Sequence, residues 1–274
     1  MARRGAAAGT VGYVLGRLLA VALLVVVLPL VAAAPAGGAP GGPTWRPDVS
    51  AAKSYAAKRA GVISFAVRTP RSLYGSDARR GYRSASIVKP MLLLAYLNGS
   101  RVRDRSLRER ERSMLSLLIR HSSNRLATRV RDRVGNGALE RLAARAGMRD
   151  FATAPSWGST RITAADQARL FLAIDRLTVA RHRAFAMRLL GSIVRSQRWG
   201  VTEAAPAGWL LFFKSGWLKA TEHQVALLRR GDRRVAISIL SAAVPLPSHE
   251  YAKQTLAGVA KRLLRGLGPG SIPR

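Results

Sequence analysis

Apolar residues change period twice along this chain, and that order narrows the folds open to it. Val62-Ile63-Ser64-Phe65-Ala66-Val67 reads as a strand, and Ser72-Leu73-Tyr74-Gly75 as its hairpin partner. From Ile87 to Leu177 the spacing is helical. It becomes extended again at Trp209-Leu210-Leu211-Phe212-Phe213, then at Gln224–Leu228 and Val235–Leu240, which flank a turn at Arg230-Gly231-Asp232-Arg233. Strands at both ends with helices between them call for one sheet assembled from the two ends and a helical insertion. That is an α+β architecture, not an alternating βαβ one.

The helices can be placed by their caps and apolar faces. Asp48 opens a stretch to Arg59 that presents Val49, Ala52 and Ala56 on one side. Ile87–Leu97 is strongly apolar and closes at Asn98-Gly99. Leu107–Ile119, Asn124–Val134 and Ala138–Ala146 follow. Thr163 caps a helix running to about Leu177, with Asp166 in its first turn, where an acid suits the dipole. Tyr251–Leu264 is a final amphipathic helix.

Three short motifs lie in order on this frame. Ser86-Ile87-Val88-Lys89 starts the apolar helix, Ser122-Ser123-Asn124 follows the next helix, and Lys214-Ser215-Gly216 ends the apolar strand. Residues three apart share a helix face, so the Lys89 amine is in reach of the Ser86 hydroxyl. A serine hydroxyl is a weak nucleophile and needs a base beside it. Lysine serves as one only when deprotonated, a state favoured by burial and by a second cation, for which Lys214 is the candidate. Free N–H groups at a helix start favour a developing oxyanion. Ser50-Ala51-Ala52-Lys53 has the first spacing too and reads as coincidence; the ordered set of three is what carries the signal.

With these motifs the chain resembles the penicillin-recognising serine hydrolases, the class A β-lactamases and related D,D-peptidases, which use S-x-x-K, S-x-N and K-[ST]-G. The resemblance spans residues 47–266. It implies a β-lactamase/transpeptidase-like fold, a five-stranded antiparallel sheet flanked by helices plus an all-helical region. It also implies Ser86 as the acylated nucleophile, Lys89 as its base and Ser122 as the proton relay to the leaving group. Asn124 would bind the substrate's amide side chain. Lys214 and Ser215 would bind its carboxylate and tune Ser122, and Gly216 would let it approach the strand edge. The oxyanion donors would be the backbone N–H groups of Ser86 and Trp217. No cofactor or metal is implied.

One departure bears on activity. Class A enzymes hydrolyse the acyl-enzyme with a loop glutamate between the second and third motifs. Here the acids of that interval are Asp132, Glu140, Asp150, Asp166, Asp175 and Glu203, and the expected loop, residues 151–160, holds none. Asp150 at its edge is the nearest candidate. The Ser86–Ser122 interval is also short for the family, which points to a trimmed helical region and an open cleft. The expected function is an exported serine hydrolase acylated at Ser86 by a β-lactam or a D-Ala-D-Ala-type peptide, with inefficient deacylation. The alternatives are a non-catalytic cell-wall-binding protein that keeps the fold and an esterase of the same superfamily.

Composition trims the remaining options. With no cysteine among 274 residues, disulfide frameworks, zinc ribbons, Fe–S clusters and thiol catalysis are excluded. The four histidines (His121, His182, His223, His249) show no helical pairing, which argues against a histidine-rich metal site. The formal charge of +32 invites a polyphosphate partner, but aromatics are 6% of the chain and are not interleaved with the basic runs. Arginine (39) outnumbers lysine (7), as coding bias alone would produce. The run Arg101, Arg103, Arg105, Arg108, Arg110 and Arg112 alternates with Asp104, Glu109 and Glu111 and reads as a solvated helix face. His121, beside the second motif, reads as a structural residue at a helix end. Trp157 and Trp217 are equally placed to line a cleft or a core.

The first segment reads as a targeting signal. Arg3, Arg4 and Arg17 precede an uncharged apolar run of 17 residues, Leu18–Ala34, and Ala34-Pro35-Ala36 offers a cleavage site. Cleaved signal and retained anchor both fit residues 1–36. Residues 37–46 form a Gly/Pro-rich linker, 47–266 the hydrolase domain and 267–274 a tail. The expected location is extracytoplasmic, with membrane attachment only through an uncleaved N-terminus. The expected partners are a small-molecule or peptidoglycan-peptide substrate and anionic wall polymers, not nucleic acid, and the expected state is a monomer.

Overall fold

A computed structural model describes residues 43–274, so the targeting signal and most of the expected linker lie outside the described residues. In chain order the elements are β1 (Thr44–Trp45), α1 (Val49–Ala56), β2 (Val62–Arg68), β3 (Leu73–Ser76), β4 (Tyr82–Arg83), a 3-10 turn (Ala85–Val88), α2 (Lys89–Asn98), α3 (Glu109–Arg120), α4 (Asn124–Val134) and α5 (Asn136–Arg145). There follow β5 (Arg161–Ile162), α6 (Ala164–Leu172), α7 (Ile174–Leu177), α8 (Ala180–Gly191), α9 (Val201–Ala204), β6 (Leu210–Leu218), β7 (Thr221–Arg230), β8 (Arg233–Ala242), α10 (His249–Leu263) and β9 (Ile272–Pro273).

The main sheet has five antiparallel strands in the order β3-β2-β8-β7-β6. The two ends of the chain meet in it as expected, β2 pairing Val62 with Ala242 and Arg68 with Ala236 of β8. Helices α1 and α10 pack together on one face, and α6 covers the other. Because both faces are covered, the central strands are apolar without alternation, and Val225–Leu228 and Val235–Ile237 are completely buried. Each fully buried side chain of this kind contributes on the order of 1.5–3 kcal/mol over leaving it in water. The hairpin between β7 and β8 turns through Gly231 at φ 55°, a conformation glycine takes without steric penalty.

Helix starts follow the side-chain caps. The Asp48 carboxylate accepts from the N–H of Ala51, Ser123 Oγ from Leu126, Thr163 Oγ1 from Asp166 and Ser248 Oγ from Tyr251. The helix expected from Thr163 to Leu177 breaks at Ala173 into α6 and α7. Helix α8 has no side-chain cap, and arginines interrupt its apolar face, so it becomes evident only in the structure.

Three further expectations change. The third motif does not end its strand, since β6 continues through Trp217 to Leu218. The arginine run is not one helix face. Arg101 to Arg108 precede α3, and Arg105 folds onto the buried Glu111 with contacts of 2.7 and 2.8 Å. Finally, β1 and β9 pair in parallel, joining Thr44 and Trp45 of the expected linker to Ile272 and Pro273 of the expected tail. Trp45 is buried, its indole N–H donates to the Arg265 carbonyl at 2.8 Å, and the N–H groups of Ile272 and Arg274 donate to the Pro43 and Trp45 carbonyls, which draws both segments into the fold. No helix among the described residues is long and apolar enough to cross a membrane.

Candidate active site

Helix α2 is the internal helix of the domain: every residue from Lys89 to Leu97 is buried. Pro90 suits its first turn, where an N–H has no helical partner. The preceding 3-10 turn brings Ser86, half-buried, to the rim of a cleft of about 200 Å³. Ser122, Asn124, His121, Gln197, Trp157 and Trp217 line the same cleft. Two non-glycine residues that line the cleft have left-handed backbones, Ala85 at φ 48° and Ser122 at φ 58°. Such strain, held by surrounding structure, is a common property of functional sites.

Lys89 sits at the centre. Its Nζ donates to the Ser122 hydroxyl at 3.0 Å, to Asn124 Oδ1 at 2.8 Å and to the Ser122 carbonyl. All three hydrogen bonds go to the second motif, so the amine reaches toward Ser122 where the helical spacing alone suggested Ser86. Burial pushes its pKa down to about 7. The three donated bonds belong to the ammonium form, and loss of its proton near that pH leaves an amine able to act as a base.

The third motif is placed differently from its expected role. Lys214 and Ser215 are completely buried and do not line the cleft. Lys214 Nζ donates to the Ser215 carbonyl at 2.8 Å and to Gln197 Oε1 at 3.3 Å. Ser215 Oγ donates to the Gln197 carbonyl and accepts from Gln224 Nε2. Gln197, which no sequence signal singled out, therefore stands between the third motif and the cleft. Burial, and then the charge of Lys89, hold Lys214 well below the usual lysine range, whereas burial alone accounts for the shift of Lys89.

Gly216 acts at a closer range than substrate contact. A methyl group placed on it would lie 2.6 Å from the Ser86 nitrogen and 2.7 Å from that of Ile87. The absent side chain is what lets edge strand β6 seat against the turn carrying Ser86. Trp217, next along the strand, is 42% exposed at the cleft.

The loop 151–160 contributes Trp157 instead of an acid. Its indole N–H donates to Thr128 Oγ1 at 3.1 Å, its carbonyl accepts from Ser84 Oγ at 3.1 Å, and its ring lies 4.9 Å from Lys89 Nζ. The favourable cation–ring contact and these two bonds fix the indole over the amine. Both tryptophans therefore line the cleft.

Each acid of the interval is engaged elsewhere. Asp150 forms a two-point pair with Arg79 at 2.8 and 3.0 Å, and the guanidinium holds its carboxyl below the usual range. Asp166 accepts from the N–H groups of Arg149 and Asp150 and from Arg169. Asp175 pairs with Arg234 and Arg229, Asp132 with Arg131, Glu140 accepts from Thr153, and Glu203 accepts from Gly200 N–H. Among the described residues, no carboxylate lines the cleft around Ser86. The second Ser-x-x-Lys match falls on α1, where Ser50 and Lys53 are exposed and far along the chain from the other motifs. Among the described residues, no three His, Asp or Glu side chains cluster as metal ligands.

This sheet, its helical insertion and the position of the motif-bearing cleft define a β-lactamase-type hydrolase scaffold of class A. The solved β-lactamase from Sphaerobacter thermophilus DSM 20745 superposes with a TM-score of 0.69 at 18% identity, covering 80% of this chain and 96% of that one. That of Streptosporangium roseum gives 0.67 at 14%, covering 80% and 98%. The TLA-3 extended-spectrum β-lactamase gives 0.69 at 11%, covering 80% and 98%. At these identities the likeness establishes the fold. A family model described as the beta-lactamase enzyme family matches residues 111–267, more than half of the chain, and the protein belongs to that family. No curated protein matches it.

Proposed function

We propose that this protein is an exported serine hydrolase acylated at Ser86 by a β-lactam or a D-Ala-D-Ala-type peptide, and that the acyl-enzyme is long-lived. The observation that carries the reading is the Lys89 amine, with a pKa near 7, bonded to Ser122 Oγ and Asn124 in the cleft that Ser86 borders. In the acylation step, Ser86 Oγ attacks the carbonyl carbon as its proton passes to Lys89, by way of Ser122. The C–N bond then breaks, and Ser122 delivers the proton to the leaving nitrogen. The backbone N–H groups of Ser86 and Trp217 are assigned to the oxyanion. Asn124 is assigned to the substrate amide. Lys214, Ser215 and Gly216 support the site from behind, through the buried hydrogen bonds of Lys214 and Ser215 to Gln197 and the close strand contact at Gly216.

Hydrolysis of the acyl-enzyme needs a second base for water. The absence of a carboxylate from the cleft lining supports slow turnover. Residues 1–36 support an extracytoplasmic location, and the overall charge of +32 would draw the enzyme to anionic wall polymers. Incubation with a fluorescent penicillin tests the reading: one label per chain is expected, persistent for many minutes and lost in Ser86→Ala. Absence of label in the wild type at high probe concentration rejects it. Retention of a wall-binding phenotype by Ser86→Ala would favour the non-catalytic alternative.

A further inference from the structure

The catalytic cleft is small, but a larger depression adjoins it. A groove of about 540 Å³ runs between α3 and α8, and His121, which immediately precedes Ser122, lines both it and the cleft. On α3 its wall is the stripe Arg112, Ser116 and Arg120, which share a face at four-residue spacing. With a rise of about 1.5 Å per residue, a 12-residue helix such as α3 offers a track on the order of 18 Å leading to Ser122.

The chemistry of the groove is cationic over an apolar floor. Phe185 supplies the floor with Leu117, a leucine left 45% exposed. The Arg112 and Arg188 guanidinium groups lie 5.7 and 5.9 Å from the Phe185 ring, so one aromatic side chain holds both. Arg120 Nε donates to the Ser192 carbonyl at 2.9 Å, tying the two helices together near the cleft. None of the three arginines forms an ion pair among the described residues, and the one acid of the groove, Glu109, stands at the end far from Ser122.

We infer that this groove is an extended subsite for an acidic peptide segment of the substrate whose carbonyl reacts at Ser86. The inference rests on the proposed function and adds the chemistry of the substrate beyond the reacting bond. Carboxylates of the segment would meet Arg120, Arg112 and Arg188, while its aliphatic stems lie on Phe185 and Leu117. Planar guanidinium groups suit such carboxylates because they bind them at two points.

The test uses the full-length protein and two peptides ending in D-Ala-D-Ala, one preceded by two glutamates and one by two lysines, as competitors of fluorescent-penicillin labelling. The acidic peptide should compete at about tenfold lower concentration than the basic one at fixed ionic strength. In Arg112→Ala/Arg188→Ala that ratio should fall to near unity. The exposed pair Lys53→Ala/Lys58→Ala removes the same charge on α1 and just beyond its end and should keep the ratio. Equal competition by both peptides in the wild type, or equal loss in the α1 variant, overturns the groove as the cause. Anisotropy of a dye-labelled acidic peptide reads the groove without acylation, so failure to label rejects the proposed function alone. Failure of the acidic peptide to bind rejects the groove.

Discussion

The Lys89 amine lies 3.0 Å from the Ser122 hydroxyl and 4.9 Å from the centre of the Trp157 ring, held between the second motif and an aromatic cover. Its buried setting lowers its pKa to about 7, so on the proposed mechanism the fold prepares this amine to act as the base. The expected acylation rate therefore rises as pH increases through about 7 and levels off above it, because only the neutral amine accepts the Ser86 proton. Labelling rates measured between pH 5 and 9 check this. Lys89→Ala should lose about 10²–10⁴-fold in rate, the usual contribution of a positioned base. A flat profile would remove Lys89 from that role.

Gly158 lines the cleft beside Trp157, and a side chain there would meet nothing within 4 Å of its first carbon. Gly158→Glu should thus bring a carboxylate into the cleft without a clash and speed loss of the penicillin label by about 10²-fold or more. An unchanged label lifetime in a folded variant would show that a missing acid is not what limits turnover.

At Gly216 the expected outcome is the opposite. In Gly216→Ala the new methyl group must displace the backbone of Ser86 and Ile87, at a cost of about 1–3 kcal/mol for overfilling a packed site. Urea denaturation should report the lost stability, and labelling should slow in the protein that remains folded.

Glu222 on β7, the cross-strand partner of Trp217, gives a separate pH effect on stability. It is fully buried, with one carboxylate oxygen bonded to His249 at 2.6 Å and the other without a partner. Burial raises its pKa to about 7 against the bond from His249. The folded state therefore holds this proton between about pH 4.5 and 7 while the unfolded state releases it, so stability falls as pH rises through that window. Glu222→Gln should flatten the decline and raise Tm at pH 8. A steeper decline in the variant would contradict the assignment.

Much of this protein is legible in one dimension because the signals are local. Asp48, Thr163 and Ser123 each cap the helix they precede, a matter of a hydroxyl or carboxylate reaching an N–H three residues on. Strand period and hairpin turn fix the strands at each end, and the order of Ser86–Lys89, Ser122–Asn124 and Lys214–Gly216 marks the chemistry. The residues that only the tertiary structure reveals act across the chain. Gln197 screens Lys214 and Ser215 from the cleft, Trp157 covers an amine 68 positions earlier, and Gly216 matters because Ser86 is pressed against it. Side chains that meet through folding leave no periodicity and no spacing in the sequence. Charge and burial at Lys89 likewise exist only once α2 is enclosed. The chain alone thus determined the strands at each end, the capped helices and the three motifs, while packing added α8 and the β1–β9 pair and decided which motif residues face the cleft.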